Sequence, residues 1–246
     1  MKSEKVAIIT GASRGIGAAI AKRLAADEFS VVVNFAGNAE AANQVVEAIK
    51  SANGAAVAVQ ADVADPAAVK KLFDAADAAF GRIDVLVNNA GVMIPELPHL
   101  AATTDAQFDH LFSVNVKGSF NTMREAAGRL KAGGRIINFS TSAIGTAMPG
   151  YAVYGATKSA VETMTNIFAK ELRGKNITAN VVAPGPTATD LFLNGKSKEL
   201  VDRMAKMAPL ERLGEVDDIA RVVSFLAGPD AGWINGQTIR ANGGMV

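Results

Sequence analysis

The chain contains no cysteine. That excludes disulfides, thiolate-held zinc or iron–sulfur centres and any cysteine nucleophile, and it agrees with a cytoplasmic location. The only two histidines, His99 and His110, lack metal-ligand spacing, and a histidine-dependent triad would have to use one of them. No metal site is expected. No G-x-S-x-G elbow occurs, so the serines do not read as hydrolase nucleophiles. No apolar run is long enough to span a membrane. The opening "MKSEKVAIITGAS" carries too short an apolar stretch for a secretion signal. The formal net charge of +1 gives no reason to expect nucleic acid or an anionic membrane as a partner.

What is present is a well-packed globular composition, 49% apolar in 246 residues. Short apolar runs at 6–10, 31–35, 55–60, 84–88, 135–140, 178–183 and 237–241 read as strands. Most are continuous rather than alternating, as in strands buried on both faces. Helical patterns separate them at 15–27, 39–53, 65–81, 104–130, 155–174 and 215–228. Gly54 is expected to end the second helix, and Asp65-Pro66 to start the third. Such alternation predicts an α/β fold: one doubly wound parallel sheet of about seven strands with helices on both faces. No linker divides the chain, so residues 1–246 read as one domain. Residues 186–212 break the rhythm and read as a lid at the carboxyl edge of the sheet.

"TGASRGIG" (10–17) follows the first strand and opens the first helix. Gly11, Gly15 and Gly17 let the backbone approach a ligand, and the helix N-terminus offers free N–H groups to a pyrophosphate. Ser13, Arg14 and Ile16 share this turn. The second strand ends with Asn34 and runs to Asn38 without a carboxylate that would repel a 2′-phosphate, while Arg14 supplies a cation. The pattern predicts NADP(H) in preference to NAD(H).

Both tyrosines of the chain fall in "YAVYGATK" (151–158). If a helix begins near Ala152, Tyr154 and Lys158 share a face. An ammonium there would lower the phenol pKa and poise it for proton transfer. The alternative is an ordinary amphipathic helix start.

Taken together, "TGASRGIG", "NNAG" (88–91), "SVN" (113–115), "STSAIG" (140–145), Tyr154-x-x-x-Lys158, "PGPTAT" (184–189) and "INGQTIRANGG" (234–244) resemble, in order and spacing, the short-chain dehydrogenases/reductases. One departure is Asn242, where the family usually has Asp. The resemblance implies hydride transfer between a nicotinamide and a carbonyl or secondary alcohol. It makes Tyr154 the acid/base, Lys158 its partner and holder of the nicotinamide ribose, Ser142 the donor to the substrate oxygen, and Asn115 the holder of a water linking Lys158 to solvent. Ser142 is chosen over Thr141 because glycine follows it by three residues and because Thr141 would face the other way on a regular strand.

The resemblance also implies Asp62 and Val63 at the adenine, Asn88, Ala90 and Gly91 at its ribose, and Pro184, Gly185, Thr187 and Thr189 at the nicotinamide. Asp62 also suits a loop cap, and "NNAG" a structural turn. Met93, Ile94, Met148, Tyr151, Leu191 and Phe192, with Met204 and Met207, are the candidate pocket residues. Tyr151 reads equally as pocket wall or as packing. The chain is similar to 3-oxoacyl-carrier-protein reductases and to polyhydroxynaphthalene, sugar and steroid dehydrogenases of this build. Arg124, Arg129 and Arg173 could dock an acidic carrier or be ordinary solvated residues. A homotetramer is expected. A non-catalytic NADP sensor is the alternative from another class, disfavoured by the intact Asn115, Ser142, Tyr154, Lys158 set.

Overall fold

The computed structural model describes residues 5–246; Met1–Glu4 of the N-terminal segment discussed above lie outside the described residues. Seven strands form one parallel sheet: β1 (Lys5–Ile9), β2 (Phe29–Phe35), β3 (Ala56–Gln60), β4 (Val85–Asn88), β5 (Arg135–Phe139), β6 (Thr178–Pro184) and β7 (Thr238–Ala241). Their order is β3-β2-β1-β4-β5-β6-β7, and every pair is parallel. All seven expected strands are present, within two residues at either end.

The helices are α1 (Gly15–Ala26), α2 (Ala39–Ser51), α3 (Pro66–Phe80), α4 (Asp105–Leu111), α5 (Gly118–Arg129), α6 (Ala143–Thr146), α7 (Ala152–Glu171), α8 (Asp190–Leu193), α9 (Lys198–Ala205) and α10 (Val216–Ala227). Local chemistry explains their ends. Asp65 caps α3 by accepting from the Ala67 N–H, Pro66 stands in its first turn, and Gly81 closes it in the left-handed region at φ 79°. At the end of α2 the left-handed residue is Asn53, at φ 65°, rather than the expected Gly54. Gly54 is required for closeness instead, because a Cβ there would stand 2.7 Å from Ile49 Cγ2.

Two apolar cores cover the sheet. On one face α1, α2 and α10 bury Ile20, Val46 and Val223 against Ile9, Val31 and Val87. On the other, α3, α5 and α7 bury Leu72, Met123 and Ala169 against Ile8, Leu86 and Ile136. Both faces being covered explains why the strands are apolar throughout.

Three features position the site. The strand order reverses between β1 and β4, where a crevice opens beyond the carboxyl ends of the strands. The expected long helix at 104–130 is α4 and α5 joined through a π-helical segment, Phe112–Lys117, that carries Asn115. The segment after β6 folds into α8 and α9, and its ends are clasped together: Ala188 N–H donates to the Gly214 carbonyl at 2.9 Å, and Gly214 N–H to that of Pro186 at 2.9 Å.

Candidate active site

The glycine turn follows β1 directly. Gly11 and Gly15 adopt φ 61° and 54°, in the left-handed region that favours glycine. A Cβ on Gly11 would stand 2.9 Å from Ala90 Cα, and one on Gly17 would stand 2.5 Å from Asn89 Nδ2 and collide with the Gly11 carbonyl. Arg14 is the N-cap of α1 but gives it no side-chain cap, and no acidic residue occupies the first turn. A helix end left in this way, behind backbone that tolerates no side chain, is suited to an anionic diphosphate.

A cleft of about 530 Å³ runs from this turn across the sheet edge. Gly11, Ser13, Arg14, Gly15, Ile16 and Gly17 line one side; Asn38, Asp62, Val63, Ala90, Gly91 and Thr189 line the remainder. Asn38 also caps α2 through Ala41 N–H, and Asp62 accepts from Ala64 N–H at 2.9 Å, the loop cap that its surroundings suggested. Two of the expected contacts are corrected. Asn34 borders the cleft but is buried, and its amide bonds elsewhere: Oδ1 accepts from Gly11 N–H at 3.3 Å, and Nδ2 donates to the Ala61 carbonyl at 3.0 Å. It braces the glycine turn from the wall of the cleft. Asn88 is also buried, donating to Asn138 Oδ1 at 2.7 Å within the sheet. The neighbouring Asn89 reaches the cleft, with Nδ2 donating to the carbonyls of Thr10 and Gly11.

A second cavity, of about 150 Å³, adjoins the first at Gly91 and Thr189. Thr141, Tyr154 and Lys158 stand on it, with Pro184, Gly185 and Thr187 along one side. Met93, Met148, Tyr151, Leu191, Phe192 and Met204 form its apolar walls, so Tyr151 is a wall residue. Ile94 does not line it, because the chain turns away there, with Leu97 N–H donating to the Ile94 carbonyl. Met207 is exposed and also outside it.

The expected donor Ser142 is corrected. Strand β5 ends at Phe139, so the alternation that would turn Thr141 away no longer applies at residues 140–142; Ser142 has helical backbone angles, φ −70° and ψ −11°. Its hydroxyl is buried, donating to the Ala183 carbonyl at 3.0 Å and accepting from Asn242 Nδ2 at 3.0 Å. Its one proton is therefore engaged, and it does not line the cavity. Thr141 does, on the same cavity as the Tyr154 phenol. Thr141 Oγ1 also accepts from Ala143 N–H at 3.2 Å, which orients it.

Helix α7 begins at Ala152, which places Tyr154 and Lys158 one turn apart as expected. The electrostatic expectation is corrected. Burial dominates and pushes the Tyr154 phenol up to about 12, the nearby Thr141 hydroxyl opposing it. Burial also pulls the Lys158 ammonium down to about 8. Lys158 Nζ donates to the Phe139 carbonyl at 3.1 Å and lies 5.9 Å from the Tyr154 ring centre. Gly91 leaves space before this ammonium, since a Cβ there would be 3.2 Å from Nζ.

Asn115 is fully buried in the π-segment. Its amide exchanges two hydrogen bonds with the Val92 backbone, at 2.8 and 2.9 Å, and donates to Thr157 Oγ1 at 3.1 Å. Asn115 thus fastens the loop after β4 to α7, and its Oδ1 stands beside Lys158 at Gly91, where a Cβ would be 3.3 Å from Oδ1 and 3.2 Å from Nζ. Of the three surface arginines, Arg129 is engaged by Asp74, Asp77 and Glu125, which disqualifies it as a docking cation. Among the described residues no cluster of acidic or histidine side chains could hold a metal, and no helix is long and apolar enough to cross a membrane.

Comparison with known proteins follows the same lines. A family model described as enoyl-(acyl carrier protein) reductase matches residues 11–246. A short-chain type dehydrogenase/reductase of Picea abies is 49% identical, with 98% of this chain and 92% of that protein aligned. An NADPH-dependent aldehyde reductase-like chloroplastic protein of Arabidopsis thaliana is 47% identical over 98% of this chain and 94% of its own. The crystal structure of a short chain dehydrogenase from Burkholderia cenocepacia J2315 in complex with NADP superimposes with a TM-score of 0.93 at 37% identity, covering 99% of this chain and 98% of the other. With a Rossmann-type sheet, a glycine turn at its switch point and a Tyr-x-x-x-Lys pair over the adjoining cavity, this chain belongs to the short-chain dehydrogenase/reductase family of oxidoreductases.

Proposed function

We propose that the protein is an NADPH-dependent reductase of ketones or aldehydes. The observation that carries this reading is the convergence of the Thr141 hydroxyl, the Tyr154 phenol and the Lys158 ammonium on one apolar cavity beside the dinucleotide-shaped cleft. Residues Gly11–Gly17 would hold the pyrophosphate, Arg14 the 2′-phosphate, Asp62 and Val63 the adenine, Lys158 the nicotinamide ribose, and Pro184, Gly185, Thr187 and Thr189 the nicotinamide. The bound nicotinamide supplies the hydride for carbonyl reduction.

The chain's own residues manage the charge that develops on the substrate oxygen. A carbonyl oxygen entering between Thr141 and Tyr154 accepts a hydrogen bond from each. With its pKa near 12, Tyr154 keeps its proton at neutral pH and gives it to the nascent alkoxide. The neighbouring Lys158 ammonium stabilises the phenolate that remains. Asn115 keeps the end of β4 and α7 in register, which fixes both groups. The segment 186–212, hinged at the Pro186–Gly214 clasp and carrying Leu191, Phe192 and Met204 onto the cavity, acts as the lid within a single domain.

Phe108, Phe120 and Ile167 are exposed on α4, α5 and α7, and Phe225 and Trp233 are exposed on α10 and the turn before β7. These two apolar faces support a homotetramer with two kinds of isologous interface. The cytoplasmic location remains the expectation from composition.

The test is a carbonyl panel assayed with NADPH and with NADH, followed by cofactor absorbance, on wild type, Thr141→Ala, Thr141→Ser and Ser142→Ala. Thr141→Ala should lose about 10²–10³ in kcat, as for a missing donor to a developing oxyanion, and Thr141→Ser should recover most of it. A dead Ser142→Ala beside an active Thr141→Ala would reverse the assignment.

A further inference from the structure

The turn Asn242–Val246, which follows β7, reaches the substrate cavity through a residue that the family motifs do not include. Met245 lines that cavity together with Met93, Met148 and Met204. Half of the chain's eight methionines thus face one space. The turn is held from several sides. Asn242 Oδ1 accepts from Gly244 N–H at 3.0 Å and Met245 N–H at 3.2 Å, while its Nδ2 donates to the Val246 carbonyl at 3.2 Å and to Ser142 Oγ at 3.0 Å. Gly243 and Gly244 adopt φ 67° and 87°, in the left-handed region that favours glycine. Val246 packs on α6 so closely that a Cβ on Gly145 would stand 2.8 Å from Val246 Cγ2.

This network explains Asn at 242. An aspartate could accept from the two N–H groups and from Ser142 but could not donate to the Val246 carbonyl. It would also compete with Ala183 for the Ser142 proton. The amide therefore fixes the backbone of Met245 against the loop that carries Thr141.

We infer that Met245 is a specificity-determining residue: it walls the apolar side of the cavity and limits the size of the uncharged carbonyl compound that fits there. The inference rests on the reductase reading for the identity of the reacting group. The size limit follows from position: the nicotinamide would take the side lined by Pro184, Gly185 and Thr187, and Met245 stands with Met93, Met148 and Met204 on the apolar side left to the substrate. The chemistry follows from the walls. Thioethers are polarizable, adapt their shape and contact ring edges favourably. No carboxylate lines the cavity to receive a cation, and its one cation, Lys158, is committed to the Phe139 carbonyl and the catalytic tyrosine, so a charged substituent finds no free partner there.

The experiment compares benzaldehyde with a fused two-ring ketone, 1-tetralone, in wild type, Met245→Ala and Met245→Phe. Each compound is assayed for reduction with NADPH and, separately, for binding by titration calorimetry. Met245→Ala should raise the two-ring over one-ring ratio of kcat/KM by about tenfold, the effect of a few methylenes of pocket space, and Met245→Phe should lower it. A ratio that stays put in both variants, or moves the same way in both, overturns the inference. If wild type reduces neither compound, the reductase reading falls, and the ratio of dissociation constants then decides the wall by the same criterion. Failure of both compounds to bind wild type also overturns it.

Discussion

Replacing Lys158 with methionine should change how the stability of the ligand-free protein depends on pH. The lysine is buried, and burial pulls its pKa from an ordinary 10.5 down to about 8. Above both values the side chain is neutral whether folded or unfolded, and its charge costs nothing. Below both values it is charged in either state, and the folded state alone carries a desolvated ammonium, a penalty of about 3 kcal/mol. Between them the unfolded chain binds more protons than the folded one, so stability rises with pH. Methionine keeps the length and removes the titration. The stability of wild type minus that of Lys158→Met should therefore increase by about 2 kcal/mol from pH 7 to about pH 9.5. Tyr154, with its pKa near 12, stays protonated in the folded state across that range, and its linkage is common to both proteins. Urea unfolding followed by circular dichroism, at one fixed protein concentration and without nucleotide, measures the difference. Parallel stability curves for the two proteins would show that the ammonium is not desolvated, and the burial argument would fail.

Three further outcomes follow. Tyr154→Phe should lower turnover by about 10²–10⁴-fold, the usual contribution of a positioned acid, while leaving NADPH binding measured by fluorescence intact; Tyr151→Phe should do far less, and the reverse ranking would refute the reading. Arg14→Ala should shrink the NADPH over NADH preference in kcat/KM by about tenfold or more, the worth of a charge-assisted contact to phosphate, and an unchanged ratio would remove Arg14 from that role. Gly17→Ala places a Cβ 2.5 Å from Asn89 Nδ2 and against the Gly11 carbonyl, so it should weaken nucleotide affinity and lower Tm together; normal affinity would mean that the turn yields more easily than its packing implies.

Much of the fold was legible because its signals are local. Strands covered on both faces must be apolar throughout, and seven such runs separated by helical patterns leave few arrangements other than a doubly wound sheet. The short α6, α8 and α9 were not legible, because helices of four to eight residues are stabilised by their tertiary surroundings more than by any periodic pattern. Asn53 in place of Gly54 at the end of α2 is a similar case, since two adjacent residues can both take the left-handed position.

The site divides along the same line. The Tyr154–Lys158 pairing needed only helical spacing and was readable. The choice between Thr141 and Ser142 depended on whether strand alternation continued past Phe139, and β5 stops there. The identity of the donor is therefore set by one or two residues of strand length, a margin that local patterns do not resolve. The amides of Asn34 and Asn88 were misread for a related reason. An asparagine beside a ligand cleft can face the ligand or brace the backbone around it, and only the partners of its amide decide. Here both amides are engaged internally. The glycine turn of the cleft is thus backed by Asn34 and Asn89, whose amides hold that backbone in place. A dinucleotide would meet preorganised N–H groups rather than mobile amides, and a site built that way loses little conformational freedom when the cofactor binds.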